Sequence, residues 1–552
     1  MARPQRYLIV VIIAAAALYL IGNDRVGLWD RDEPRYAQTS KQMLQSDPPD
    51  WVVPRLLDDV RTAKPIFIYW CQAGAMWLLN STDPFAARLP SVVAMVITLI
   101  VLAIAIGKSI GWWRAFWTVF ILSTSGLVIA AAKMCITDSV LLLWITIAQL
   151  CLFAVYQGNH SWIVTVLLWL SIGLALLTKG PVVLGIQLTT MIALAALDVG
   201  RKWRLGRAWL DAIRWWWHTR PLIGVLIAAA VVAPWLIQVQ HREPTFLRRA
   251  FWHDVVARSM KPLEGHAGPP GYYLVTVWAT FFPWCILLPA ALPWAWRNRR
   301  LAPLRFALAG VVGPWILMEI VKTKLAHYVL PAFPPLAFIT ADMLFRAIRG
   351  QVPDLRRPAF IVLAGIWAII VAAIGSVPWL ATRRFDSLPT TAMTILTIAG
   401  IVYAASVFIL FARRRIALVA TAMGSGMIAV LAIFYAFYLP NAQFLWLPER
   451  IASVLLENGA TRSGDVINLD YREDSLAYYQ GGTIREMENN YFTTTPRDRW
   501  AKWIVLTSDL LRKLPADVRS RYESFATFRG LAYAKRGSIA EVIILRRIDS
   551  QP

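Results

Sequence analysis

Long apolar runs separated by short polar stretches fill the chain up to residue 440. Runs near 7–22, 89–107, 115–132, 138–156, 161–178, 181–198, 221–239, 272–296, 304–321, 328–346, 359–381, 391–412 and 416–438 come close to the ~20 residues a helix needs to cross a bilayer. They predict about thirteen membrane-spanning helices. Two regions break the rhythm. The loop over 23–88 holds a helix-like stretch at 33–44, a Pro48-Pro49 turn and a second apolar stretch at 65–79. That stretch is short for a span and reads as a helix lying in the interface plane. Residues 441–552 are far more polar. There, 447–458 has helical spacing, while 465–469, 503–506 and 540–545 read as short buried strands. The predicted fold class is an α-helical polytopic membrane protein over 1–440, followed by a small α/β domain over 441–552.

Composition agrees. With 58% hydrophobic and 16% charged residues in 552, the chain lies far from an ordinary soluble domain. Its formal charge of +23 raises the question of nucleic acid, yet no recognition module is readable and the basic residues are dispersed among short loops. With Arg3 and Arg6 inside, alternate loops carry Lys108 and Arg114, then Arg201, Lys202, Arg204 and Arg207, then Arg297, Arg299 and Arg300, then Arg346, Arg349, Arg356 and Arg357, then Arg413, Arg414 and Arg415. Lysine and arginine concentrate in cytoplasmic loops. This phase puts the 23–88 loop and the 441–552 region together on the outer face. The first apolar run lacks a small-residue cleavage site and reads as a retained helix. Cys71, Cys135, Cys151 and Cys285 lack metal-ligand spacing and read as small buried hydrophobes.

Candidate chemistry collects on the outer face. Asp32 and Glu33 precede Pro34, a favoured first-turn residue, so both carboxylates fall at a helix N-terminus. Capping and a functional role are both open for them. Arg35 and Tyr36 follow, Lys64 opens the interfacial stretch that contains Tyr69, and Asp138 starts a span at the same level. Asp138 is either a second site carboxylate or a plain N-terminal helix residue, and Tyr69 either packs against a ligand or lipid tail or is an interfacial anchor. Lys179-Gly180-Pro181, His266 ahead of Tyr272, and Lys322, Lys324 and Tyr328 occupy other outer turns. Short outer loops normally avoid lysine. One such lysine reads as a snorkelling end residue. Several around one acidic loop point to a pocket for anionic groups, phosphate foremost. Arg248 and Arg249 read either as a basic cluster for an anionic ligand or as ordinary headgroup contacts. Residues 441–552 carry no Gly-rich phosphate loop or nucleophile motif and read as a structural or docking domain.

The segment Asp32-Glu33-Pro34-Arg35-Tyr36-Ala37, with Trp51-Val52-Val53-Pro54 and Lys64-Pro65 after it, resembles the first outer loop of integral-membrane glycosyltransferases that use polyprenyl-phosphate sugars. Lys179-Gly180-Pro181 and the run from Lys324-Leu325 to Tyr328-Val329-Leu330-Pro331 resemble further signatures of this GT-C superfamily. Within it, the first 440 residues look most like the bacterial lipid A aminoarabinose transferases, relatives of the protein O-mannosyltransferases. The resemblance implies transfer of 4-amino-4-deoxy-L-arabinose from undecaprenyl phosphate to a lipid A phosphate, with inversion at the anomeric carbon. It further implies a multi-pass inner-membrane enzyme whose site faces the periplasm, and resistance to cationic peptides such as polymyxin. The catalytic set so read is Asp32, Glu33 and Lys64, with Asp32 the principal carboxylate and Lys64 on the donor phosphate. Arg35, Tyr36, Tyr69, Asp138, Lys179, His266, Tyr272, Lys322, Lys324 and Tyr328 form the substrate-binding set. One departure matters: Ala63 stands where aminoarabinose transferases commonly have a glutamate associated with metal binding, and one histidine cannot close a metal site. No metal site is therefore carried over, no cofactor is required, and a divalent metal stays open. The expected partners are the lipid-linked donor, lipid A and membrane lipids, with the protein a monomer and no nucleic acid involved.

Breaking the donor's anomeric bond develops negative charge on the departing phosphate and positive charge on the sugar, demands that fixed cations and a carboxylate meet. A hydroxyl acceptor would make Asp32 a general base. An already anionic lipid A phosphate would leave Asp32 to position the acceptor, hold the sugar amine or stabilise the developing positive charge. Transfer to a periplasmic protein or other glycan is the alternative acceptor reading. A lipid transporter or flippase is the rival class, but it calls for ionisable residues near the bilayer midplane, where these spans are apolar.

Overall fold

The computed structural model describes residues 3–200, 206–252, 268–352, 358–385, 390–413, 415–533 and 537–548. Among them, ten helices are long and apolar enough to cross a membrane, and two bent helix pairs bring the count to twelve. The thirteenth expected span is α1 (Arg3–Leu20), whose apolar stretch Pro4–Leu20 is shorter than the others. The protein is a multi-pass membrane protein.

The two bent spans brace each other at their breaks. After α2 (Asp32–Gln45), α3 (Phe67–Leu79) and α4 (Pro84–Ser109), the pair α5 (Trp112–Ser123) and α6 (Gly126–Ala132) bends by 69°. The other pair, Tyr272–Thr280 and Trp284–Arg297, bends by 119°. Gly126 N donates to Phe282 O at 2.9 Å, Trp284 Nε1 to Thr124 Oγ1 at 2.9 Å, and Tyr19 OH to Ser123 O at 2.8 Å. Polar groups freed by the breaks thus find protein partners, the condition for irregular backbone at membrane depth.

Next come α7 (Thr137–Tyr156), α8 (Trp162–Lys179) and α9 (Val182–Val199). Ser161 caps α8 by accepting from Val164 N at 3.4 Å, and Gly180 ends it with φ of +73°, a conformation glycine adopts without a Cβ penalty. The tight turn places Lys179 at the end of the bundle that carries the 23–88 loop.

Outside the spans, α2 and α3 pack together beside an antiparallel hairpin, β1 (Arg55–Leu56) and β2 (Asp59–Val60). Trp77 and Leu78 of α3 are 73% and 74% exposed, as suits an interfacial helix. The C-terminal region builds a sheet from β3 (Val466–Asn468), β4 (Arg485–Glu486), β5 (Trp503–Thr507), β6 (Tyr522–Ala532) and β7 (Ser538–Arg547), in the order β4-β3-β5-β7-β6. β3 runs parallel to β4 and β5; β7 runs antiparallel to β5 and β6. Alternation on β5 fills two cores. Trp503 and Val505 join the helices Leu447–Glu457 and Asp474–Tyr479, while Ile504 and Leu506 join Trp500 and Tyr522.

This domain is bound to the first loop by specific polar contacts. Asp30 Oδ1 accepts from Ser475 N at 2.8 Å, Leu28 N donates to Tyr479 OH at 3.0 Å, and Asp30 N donates to Tyr533 OH at 2.9 Å. Arg485 pairs with Asp58 at 3.2 Å, anchoring the turn of the hairpin as well.

Candidate active site

The N-terminus of α2 is fixed from below by one buried ion pair. Arg88 on α4 and Glu33 on α2 are 1% and 0% exposed. Arg88 Nε and Nη2 donate to the two Glu33 oxygens at 3.0 and 2.7 Å. The guanidinium also donates to the carbonyls of Asn23 (3.2 Å), Val26 (2.7 Å) and Gly27 (2.7 Å). Cys135 N and Trp29 N donate to Glu33 at 2.7 and 2.9 Å, completing its coordination. Every carboxylate oxygen is occupied, so Glu33 lies outside the site and anchors α2 to the outer ends of the bundle. Its place in the catalytic set is corrected accordingly: the side chain next to Asp32 points into the core because a helix turns ~100° per residue.

Asp32, by contrast, is exposed and lines a cavity of about 440 Å³. The cavity wall includes four carboxylates, Asp32, Asp59, Asp138 and Asp474, and four cations, Arg35, Arg61, Lys64 and Lys179, with Tyr36, His327 and Tyr328 between them. Lys179 Nζ donates to Asp138 Oδ1 at 2.7 Å and stands 5.1 Å from the Tyr328 ring centroid. His327 Nε2 lies 3.9 Å from Asp138 Oδ2. Lys64 is half-buried, and its Nζ donates to Ala63 O at 2.9 Å. Arg61 Nε donates to Tyr69 OH at 2.8 Å with its guanidinium 5.2 Å from the Tyr36 centroid, and Tyr36 stacks on Tyr69 at 5.8 Å. Tyr69 is fully buried beneath this wall, supporting Arg61 and Tyr36 from behind. Burial, with Tyr69 adding to it, holds the Tyr36 hydroxyl well above its usual range.

Of the expected residues, the cavity gathers Asp32, Lys64, Arg35, Tyr36, Asp138, Lys179 and Tyr328. Lys324 lies elsewhere: it ion-pairs with Glu319 and donates to Glu319 O at 2.9 Å, while Glu319 accepts from Tyr273 N at 3.1 Å. Tyr272 packs edge-on to Tyr273 in the same neighbourhood, away from the cavity wall. Lys322 is exposed and also outside the wall. The turn 321–325 separates these lysines from Thr323 and Leu325, which do line the cavity. His266 lies outside the described residues. Among the described residues, no three His, Cys, Asp or Glu side chains gather to hold a metal ion.

Four ionisable lining residues were not among those expected. Arg61 and His327 sit within segments singled out by the sequence, three residues before Lys64 and one before Tyr328. Asp59 lies on the hairpin, which gave no motif. Asp474 comes from the outer domain, 439 residues beyond Arg35, whose Nε donates to Asp474 Oδ2 at 2.8 Å.

A profile for the dolichyl-phosphate-mannose-protein mannosyltransferases matches residues 6–247. The undecaprenyl phosphate-alpha-4-amino-4-deoxy-L-arabinose arabinosyl transferase of Pectobacterium atrosepticum is 30% identical over 376 residues, 66% of this chain and 64% of that protein. The similarly named arabinosyl transferase 1 of Sodalis glossinidius is 30% identical over 395 residues, 69% of this chain and 67% of that one. The chain belongs to this arabinosyl transferase family. The matched stretch covers just under two thirds of the Pectobacterium protein. The family fold extends further, since the crystal structure of ArnT from Cupriavidus metallidurans bound to undecaprenyl phosphate superposes with a TM-score of 0.73 at 19% identity, covering 98% of each chain. The outer α/β domain is thus part of the shared fold.

Proposed function

We propose that this protein is a membrane glycosyltransferase that moves 4-amino-4-deoxy-L-arabinose from undecaprenyl phosphate to a phosphate of lipid A, on the periplasmic face of the bacterial inner membrane. One observation carries the reading: an exposed carboxylate, Asp32, shares a cavity at the outer end of the bundle with Arg61, Lys64 and Lys179. Family membership and the names of the relatives support the donor and the sugar.

The chemistry follows from charge. An oxygen of the ionised acceptor phosphate attacks the anomeric carbon, and the bond from that carbon to the donor phosphate oxygen breaks, its electron pair leaving with undecaprenyl phosphate. No proton need move. Lys64 and Arg61 offset the charge that grows on the leaving phosphate, a role for which preorganised cations are well suited. Asp32 stabilises positive charge on the sugar as the bond lengthens. Lys179 donates to Asp138, which holds both side chains at the cavity wall. The test is transfer by the purified protein from synthetic undecaprenyl-phosphate aminoarabinose. A product carrying the sugar on lipid A phosphate is expected. Transfer only to hydroxyl acceptors would refute the acceptor assignment.

A further inference from the structure

The outer domain does more than cover the site. Its helix Asp474–Tyr479 packs along α2, and the first residue of that helix stands in the cavity wall opposite Arg35. Arg35 and Asp474 are 25% and 20% exposed and meet at 2.8 Å through Nε. The next residue, Ser475, is held by Asp30 through both its backbone N, at 2.8 Å, and its hydroxyl. The carboxylate therefore has little freedom to move away.

Arg35 lies three residues after Asp32 on the same helix, and residues i and i+3 are neighbours on a helix surface. A guanidinium at that spacing can swing onto Asp32 and mask its charge. Asp474 instead holds it through Nε at 2.8 Å. Such charge-assisted contacts fix a guanidinium's plane as well as its position.

We propose that Asp474 is a positioning residue that orients Arg35 toward the acceptor phosphate and keeps it from covering Asp32, making the outer domain a working part of the site. This rests on the polyprenyl-phosphate transfer reading given above. A phosphate acceptor is the fitting ligand because it brings to the carboxylate-lined wall a negative charge that needs a local cation, and Arg35 is the lining cation contributed by α2 itself.

The test is steady-state kinetics of the full-length protein with donor and acceptor varied separately. Asp474→Asn should raise the acceptor KM about tenfold, the scale of one charge-assisted hydrogen bond, and leave the donor KM within about twofold. Asp474→Glu should recover most of the loss. Ser475→Ala removes the hydroxyl contact to Asp30 but keeps the backbone one and the charge in the cavity, so the acceptor KM should rise by much less than in Asp474→Asn. An unmoved acceptor KM in Asp474→Asn, with only the yield of folded protein or its melting temperature reduced, would overturn the positioning role while the transfer reading stood. A donor KM that rises in place of the acceptor KM would overturn the assignment of Arg35. A wild type that uses hydroxyl acceptors alone would overturn the acceptor-phosphate assignment together with the lipid A reading.

Discussion

Substituting Arg88 by methionine separates architecture from catalysis at the start of α2. The change leaves the Glu33 carboxylate fully buried with only two N–H donors, from Trp29 and Cys135, and strips the carbonyls of Asn23, Val26 and Gly27 of their donor. Breaking a buried pair by removing one partner costs about 3–5 kcal/mol, because an uncompensated charge is left behind. Glu33→Met alone, or Glu33→Gln, should cost a comparable amount by leaving Arg88 without its counter-charge. Replacing both residues by methionine should cost much less than the sum of the single changes, since apolar side chains of similar volume often substitute for a buried pair. Thermal unfolding of the purified protein in detergent reads all four variants of the cycle. The single variants should melt well below wild type, with the double variant between, and activity per folded molecule should fall far less than in Asp32→Asn. A Glu33→Gln protein that melts like wild type yet transfers nothing would refute the reasoning and return Glu33 to the catalytic set.

Other outcomes follow from the same geometry. Asp32→Asn should lower transfer by about 10²–10³ in kcat with the melting temperature nearly unchanged, because the side chain is exposed and its role is electrostatic. Lys64→Ala should raise the donor KM more than the acceptor KM in initial-rate measurements; equal changes would remove Lys64 from the donor phosphate. Lys179→Ala leaves Asp138 with the Thr137 hydroxyl and the more distant His327 and without its close counter-charge, so activity should drop and Lys179→Arg should restore part of it. Burial raises the Asp474 carboxyl above its usual range, with Arg35, Arg61 and Arg31 opposing that shift. Between the ordinary carboxylate pKa and the raised one the folded chain binds the proton more tightly than the unfolded chain, so acidification through that window favours folding at this group while it removes the charge that holds Arg35. The difference in acceptor KM between wild type and Asp474→Asn should accordingly shrink as pH falls into that window, which a pH series on the two proteins checks.

Most of the framework was legible because bilayer physics leaves few options. Apolar run length located the spans, and the helices expected at 33–44 and 65–79 stand as α2 and α3. The strands at 465–469, 503–506 and 540–545 match β3, β5 and β7. β6 was missed since, as an edge strand with one neighbour, it alternates weakly and exposes much of its length. Within the site, spacing could place Asp32 and Glu33 at one helix start but could not tell which faced the cavity. Their fates were decided by Arg88, 55 residues away, through contacts that no local pattern encodes. The same holds for Asp474, whose helix meets α2 only after the outer domain has folded, and for Lys322 and Lys324, where a turn of a few residues directs Thr323 and His327 inward and leaves both lysines outside the wall.

The most direct test of the central claim is mass spectrometry of lipid A from cells that lack this gene and are supplied with either the wild-type protein or Asp32→Asn. An aminopentose increment on lipid A phosphate with the wild type, absent with the variant at equal membrane abundance, is the predicted result. An identical lipid A profile in the two strains would contradict the account.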